Sequence, residues 1–251
     1  DQINAVAVPE FFTPVEDRSH VATLSEFHTF SPTLTNELRL SFSRNTNAAP
    51  VGDQQFPGLD TFPNISFQDL GINIGPGQNF PQTNRANTIQ LVENVNWIRG
   101  RHSLKFGYDA RKVNASSFFV QRNRGDYIYD SLDRYLRDIT PIFAQRSVGG
   151  FPFVGNLLSH YLFANDEIKL RPNLTVNLGL RYEYIGVPEG SRQQQLNSLA
   201  SVPGLIEFAS PTSTTKDFAP RVGIAYSPGR SGRTSIRAGF GMGYDQIYQN
   251  L

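Results

Sequence analysis

An all-β fold, an antiparallel up-and-down transmembrane β-barrel, is predicted by three observations on this 251-residue chain. Apolar and polar residues alternate with period two over segments long enough for a tilted strand to cross a bilayer, roughly 9–11 residues. These segments come in pairs joined by very short turns. Long loops, about residues 46–86, 114–159 and 185–217, separate the pairs, so the short turns would share one rim and the long loops the other. Outer-membrane barrels have that asymmetry.

The first hairpin is expected over about 21–45, around Ser31-Pro32-Thr33-Leu34-Thr35. Leu38, Leu40 and Phe42 alternate with Arg39, Ser41 and Ser43 on its return strand, while Glu26 and His28 interrupt either phase of the descending one. The second hairpin, about 87–113, turns at Arg99-Gly100-Arg101. Leu104, Phe106, Tyr108 and Ala110 share one face, opposite Ser103, Lys105, Gly107, Asp109 and Arg111. On its partner, Glu93 falls in phase with Ile89, Leu91, Val95 and Trp97, and a β-bulge near Val92–Asn94 would restore the register. The third hairpin, about 160–184, turns at Arg171-Pro172-Asn173. Its return strand is the cleanest in the chain: Leu174, Val176, Leu178, Leu180, Tyr182 and Tyr184 against Thr175, Asn177, Gly179, Arg181 and Glu183. Asp166 shares the phase of Ile168 and Leu170, which suggests a second bulge. The fourth hairpin, about 218–244, sets Val222, Ile224 and Tyr226 against Arg221, Gly223 and Ala225. After Pro228–Arg233 it sets Ile236, Ala238, Phe240, Met242 and Tyr244 against Arg237, Gly239, Gly241 and Gly243.

Composition agrees and excludes other classes. Gly 21 and Pro 16 suit a turn-rich β protein, and a net charge of +1 gives no case for nucleic-acid binding. With no Cys there is neither a disulfide framework nor a thiolate metal site. No apolar run is long enough for a membrane helix. A mean hydropathy of −0.35 is compatible with a membrane barrel, because only alternate residues face lipid. Asp1-Gln2-Ile3-Asn4 lacks the basic start and apolar run of a signal peptide.

A soluble sandwich also alternates. The polar face argues for a membrane barrel instead. Arg39, Lys105, Asp109, Arg181, Glu183, Arg221 and Arg237 lie on strands among many glycines, and are read as facing a wet lumen where charge is not buried. Trp97 and Tyr226 near the short-turn rim, with Tyr182, Tyr184 and Tyr244 near the other, would mark the two membrane interfaces. Both ends of the chain would then lie on the long-loop rim, and the chain stops at Gln249-Asn250-Leu251 in mid-loop. An interior slice of about eight strands from a larger barrel is therefore expected, one that would aggregate alone in water.

The stretches Trp97-Ile98-Arg99-Gly100-Arg101-His102-Ser103-Leu104-Lys105-Phe106-Gly107, Asn165-Asp166-Glu167-Ile168-Lys169-Leu170-Arg171-Pro172-Asn173-Leu174-Thr175-Val176-Asn177-Leu178-Gly179-Leu180-Arg181-Tyr182-Glu183 and Phe218-Ala219-Pro220-Arg221-Val222-Gly223 resemble barrel hairpins of TonB-dependent outer-membrane receptors. The nearest likeness is to the large Oar-like receptors that carry a carboxypeptidase-regulatory-like domain, over about residues 20 to 250. Ile168 stands where those receptors usually have Trp. The resemblance implies a barrel of about 22 strands closed by an N-terminal plug domain. It also implies import driven by an inner-membrane TonB complex acting on an N-terminal box. Plug and box lie outside residues 1–251, which would be barrel throughout.

Other motifs are weak. Arg124-Gly125-Asp126 spells an integrin-binding tripeptide that chance often produces. Gly239, Gly241 and Gly243 fall at strand period with no helix start after them, unlike a phosphate loop. Asn64-Ile65-Ser66, Asn114-Ala115-Ser116 and Asn173-Leu174-Thr175 match glycosylation sequons that a bacterial outer membrane does not normally use. His20, His28, His102 and His160 are scattered, and no metal site or other cofactor is assigned. No nucleophile elbow or catalytic carboxylate pair is present, so no enzymatic role is expected.

The segment Ser131–Arg137 reads as a short helix. Asp126, Tyr127, Tyr129 and Asp130 are the candidate ligand contacts, since aromatic faces beside carboxylates suit sugars or peptides. An aromatic β-ribbon packed on its neighbours is the alternative. The expected function is the barrel portion of an active import receptor in the bacterial outer membrane, in contact with lipid, its own plug, the TonB complex and a scarce solute (siderophore, oligosaccharide or peptide). A passive porin or adhesin-like barrel and a secreted all-β carbohydrate-binding or hydrolase module are the rivals.

Overall fold

The computed structural model describes residues 2–3, 11, 14–51, 57, 61–150, 152–192, 202–205, 210–229 and 233–245. The strands are β1 (Gln2–Ile3), β2 (Pro14–Ser31), β3 (Leu34–Ala49), β4 (Asn64–Phe67), β5 (Ile72–Ile74), β6 (Gln82–Arg99) and β7 (His102–Phe119). They continue with β8 (Asp126–Tyr129), β9 (Phe143–Gln145), β10 (Phe153–Val154), β11 (Leu157–Arg171), β12 (Leu174–Ile185), β13 (Asp217–Tyr226) and β14 (Ile236–Gly241). Two short helices, α1 (Leu132–Leu136) and α2 (Glu189–Arg192), lie in the loops.

One sheet runs in the order β1-β2-β3-β6-β7-β11-β12-β13-β14 with β10 on β7, every pairing antiparallel. This is the meander of four hairpins that alternation predicts, though the strands run further than the sequence suggests. β2, β6 and β7 each hold 18 residues and β3 holds 16, well beyond what a hydrocarbon core requires. Among the described residues the sheet is open, and β14 has only β13 as neighbour.

The turns are tight because their residues fit them. Ser31 pairs with Leu34 across Pro32-Thr33, Arg99 with His102 across Gly100-Arg101, and Arg171 with Leu174 across Pro172-Asn173. Gly100 supplies the left-handed backbone at φ 60, where a side chain would strain the turn. Neighbouring turns are stitched sideways by Ile98 N–H to Thr33 O (2.8 Å), Lys169 N–H to Arg101 O (2.9 Å) and Ser227 N–H to Asn173 O (2.9 Å). Residues 230–232 of the fourth turn and the stretch Gln249-Asn250-Leu251 lie outside the described residues.

The bulge expected near Val92–Asn94 is absent, whereas β11 does break register, between Lys169 and Arg171 rather than at Asp166. Register runs unbroken through Val92–Asn94 and through Asp166, and shifts only beside the turns, at Thr29/Ser31 and Lys169/Arg171. Glu93 and Asp166 therefore sit on the apolar face. Asn36 Nδ2 donates to Glu93 Oε1, and His102 Nδ1 lies 2.6 Å from Asp166 Oδ2, so each carboxylate has a polar neighbour without any backbone distortion.

Directly paired residues share a face, so the register fixes both faces. The row Leu34, Trp97, Leu104, Asp166, Leu178, Val222 and Phe240 crosses from β3 to β14. It starts beside the first turn, but in β12 it passes four residues beyond Leu174. The turns thus step away from the row along the sheet, the stagger that tilted barrel strands require. This face is apolar and uncovered: Leu40 is 48 % and Val222 51 % exposed. The few buried apolar side chains among the described residues are Phe11, Ala49, Phe67, Pro76 and Ala219. A sandwich would have clasped this face against a second layer.

A second sheet, β5-β4-β8-β9, forms within the outer loops. Its central pairing is parallel, Asn64 against Asp126 through Phe67 against Tyr129. Phe67, 1 % exposed, meets the rings of Tyr129 at 6.1 Å and Tyr135 at 5.4 Å. Helix α1 falls where the sequence predicts a helix, with Ser131 Oγ accepting from Arg134 N–H at its start.

Candidate functional site

Each residue read from the sequence as lumen-facing lies on one face of the large sheet. Arg39 stands opposite Val92, Val92 opposite Asp109, Asp109 opposite Tyr161 and Tyr161 opposite Glu183. Lys105, Asn165, Gly179 and Arg221 form another row of the same face, and Arg237 joins it opposite Ala225. Alternation alone brings these residues together from strands that are far apart in sequence.

Three arginines on this wall are held in ion pairs. Arg39 donates to Glu37, which also accepts from Asn94 Nδ2 at 3.2 Å. Arg111 Nη2 donates to Asp109 Oδ2 at 2.7 Å, and Gln90 Nε2 donates to Asp109 Oδ1 at 3.0 Å. Arg181 Nε donates to Glu183 Oε1 at 2.7 Å. Between the last two pairs stands Tyr161, with the Arg111 guanidinium 5.3 Å and the Arg181 guanidinium 5.2 Å from its ring centre. Each arginine is one member of an i,i+2 ion pair on its own strand and a cationic cover for the ring of the strand between them. The sequence reading missed Tyr161. Its strand-period place beside Phe163 and Asn165 was visible, but its neighbours across the sheet were not.

Small residues open the wall elsewhere. A Cβ on Gly107 would lie 2.1 Å from Phe163 Cε1, so this glycine lets the Phe163 ring lie flat along the sheet.

The interface aromatics occupy the opposite, apolar face. Trp97 pairs with Leu34 and Leu104 and has the Arg99 guanidinium 5.4 Å from its ring centre. Tyr226 pairs with Leu174 and Ile236 beside the third and fourth turns. At the other end Tyr182 packs on Phe218 with centroids 4.8 Å apart, Tyr184 OH accepts from Ser213 Oγ, and Tyr244 OH donates to Phe218 O. The histidines are dispersed: His102 is beside Asp166, His160 Nδ1 lies 2.7 Å from Tyr108 OH, His28 is next to Glu26, and His20 stands opposite Arg44.

The segment Asp126–Tyr129 is strand β8 of the loop sheet. Asp126 is 1 % exposed, and its carboxylate accepts from Asn64 Nδ2 at 2.7 Å and Arg122 Nε at 2.9 Å. Tyr129 packs on Phe67 and Tyr135, and burial, followed by the nearby Tyr135, Asp138 and Tyr127, raises its phenol above the ordinary tyrosine range. Asp130 accepts from Arg134 Nη1 at 3.3 Å, while Tyr127 lies half-buried in the sheet. Asp126 and Tyr129 thus hold the loop sheet together. Arg124-Gly125-Asp126 is built into the same sheet, with Arg124 Nε donating to Phe62 O at 2.9 Å.

No helix among the described residues is long and apolar enough to cross a membrane, which says nothing about strands. A family model described as an outer membrane beta barrel domain matches residues 2–251. No curated protein and no solved structure matches the chain.

Proposed function

The chain belongs to the outer membrane beta barrel domain family, and on that premise we propose that it is the barrel wall of a TonB-dependent import receptor. The family places it in the outer membrane, in a transport and receptor class without enzymatic chemistry. The observation that carries the import reading is the wet wall itself: ion pairs and amides on one face of β3, β6, β7, β11 and β12, an uncovered, mainly apolar face on the other, and long loops folded into a sheet of their own. Such a wall suits a wide lumen. The open sheet is read as about eight strands of a barrel of about 22, and the resemblance of its hairpins to those of TonB-dependent receptors supports that size. Solute is captured by the outer loops and the lumen wall, then released inward when the energised TonB complex moves the plug. Tyr127 and Asp130, on the loop sheet, are the candidate contacts that its packing engages least.

Uptake by whole cells tests this reading. Expression of the full-length protein should support accumulation of its solute, and accumulation should stop when the proton gradient is collapsed or TonB is deleted. Uptake that survives both treatments would make the protein a passive porin.

A further inference from the structure

The loop-side end of the wall differs in chemistry from its middle. Ser19, Asn45, Ala86 and Ala115 form one row across β2, β3, β6 and β7. The next row on the same face is Asp17, Asn47, Asn84, Ser117 and Phe153. The alanine methyls, with Gly155 beside Ala115, leave a hollow of about 410 Å³ under the polar row, within the usual range of small-ligand sites. Its side chains hold one another in place. Asn47 Nδ2 donates to Asp17 Oδ1 at 2.5 Å, Ser19 Oγ donates to Asn45 Oδ1 at 2.7 Å, and Ser117 Oγ donates to Asn84 Oδ1. Phe153 is backed by α2, where a Cβ on Gly190 would lie 2.7 Å from its ring.

We propose that this amide ladder is a binding subsite for an uncharged polyhydroxylated ligand, a segment of a neutral oligosaccharide. The proposal rests on the reading of this face as the ligand-facing wall and names the class of solute. Asn47 commits one amide N–H to Asp17 and keeps its second N–H and its carbonyl, while Asn84 accepts at its carbonyl and keeps its N–H groups. Successive strands thus offer both donors and acceptors at strand spacing, the array that vicinal hydroxyls satisfy. Phe153 closes the row with an apolar face for sugar C–H groups. Asp17 is the one ionisable side chain in the two rows, in contrast to the arginine-rich middle of the wall. Asp17 is engaged by Asn47, and Arg85, which also lines the hollow, belongs to the alternate row opposite Thr46, so the two rows recognise mainly by neutral hydrogen bonds, which offset the desolvation of a hydroxylated ligand.

The test uses the full-length protein purified in detergent, screened on an array of neutral glucans, mannans, xylans and galactans. The best oligomer is then titrated by calorimetry. Saturable binding is expected, weakened at least about tenfold in the Asn47→Leu/Asn84→Leu double variant, the scale of losing one or two hydrogen bonds. Phe153→Ala should weaken it independently, and heat-modifiable mobility on gels confirms that each variant is folded. No binding to any neutral glycan, or binding unchanged in both folded variants, overturns the proposal. Binding in detergent needs no energy source, so the two readings fail separately. Glycan binding with uptake indifferent to the proton gradient sinks only the import reading. Energised uptake of a charged solute without glycan binding sinks only the oligosaccharide subsite.

Discussion

His102 Nδ1 lies 2.6 Å from Asp166 Oδ2 on the face of the sheet that is otherwise apolar. The other carboxylate oxygen, Oδ1, is buried without a hydrogen-bond partner. Asp166 occupies the row between Leu104 and Leu178. A polar pair in that place gives up hydration that its mutual attraction only partly offsets.

Replacing both residues, His102→Leu with Asp166→Leu, should therefore stabilise the folded barrel by about 1–3 kcal/mol. The readout is the urea midpoint for unfolding from liposomes. A lower midpoint in the double variant would mean that the pair meets a polar partner in the membrane rather than lipid.

The two faces differ in a way that one neighbouring pair can test. Leu178 is on the apolar face, opposite Asp166 and Val222, while Asn177 is on the wet face, opposite Glu167 and Gly223. Leu178→Arg should destabilise the barrel by about 2–4 kcal/mol if it meets the bilayer midplane. Asn177→Arg, with the bare Gly223 beside it, should stay within about 0.5 kcal/mol of the parent. Equal effects in the same liposome assay would contradict the assignment of faces.

Why these faces could be read from sequence is clearest in β12, where every even residue from Leu174 to Tyr184 is apolar and no exception intervenes. Hairpin neighbours then follow from short turns. The reading failed where polar residues met apolar phase: Glu93 suggested a bulge, yet Asn36, a cross-strand diagonal neighbour, supplies its hydrogen bond and the register holds. It failed again where strands outrun the membrane. Asn47, Asn84 and Ser117 lie where apolar and polar residues no longer alternate cleanly and look like loop, although they continue β3, β6 and β7. The loop sheet was beyond local pattern altogether, because its parallel pairing joins Asn64 to Asp126 across two successive long loops.

Asp126 separates a structural role from ligand contact. Its side chain is buried and takes hydrogen bonds from Asn64 and Arg122, the latter 22 % exposed. Asp126→Ala leaves both donors unmatched, a loss of about 3–5 kcal/mol for a broken buried pair. The loop sheet should become sensitive to protease on intact cells while the barrel keeps its heat-modifiable mobility. Asp126→Asn retains an acceptor for Asn64 and should be milder. Unchanged protease resistance with lost ligand affinity would instead make Asp126 a contact.

Tyr129 gives the same sheet a pH dependence. Burial first, then the neighbouring Tyr135, Asp138 and Tyr127, raises its phenol above the ordinary value of 10.0. The folded loop thus holds this proton more tightly than the unfolded loop does. Its contribution is complete below pH 10.0 and is lost as pH rises from there through the folded value, where phenolate would have to form against Phe67 and Tyr135. Protease sensitivity of the outer loops should accordingly rise as pH climbs above 10.0. Tyr129→Phe keeps the ring contacts and removes the titrating proton, so its profile should be flatter there. A wild-type profile no steeper than that of Tyr129→Phe would show that this phenol is not what couples the loop sheet to pH.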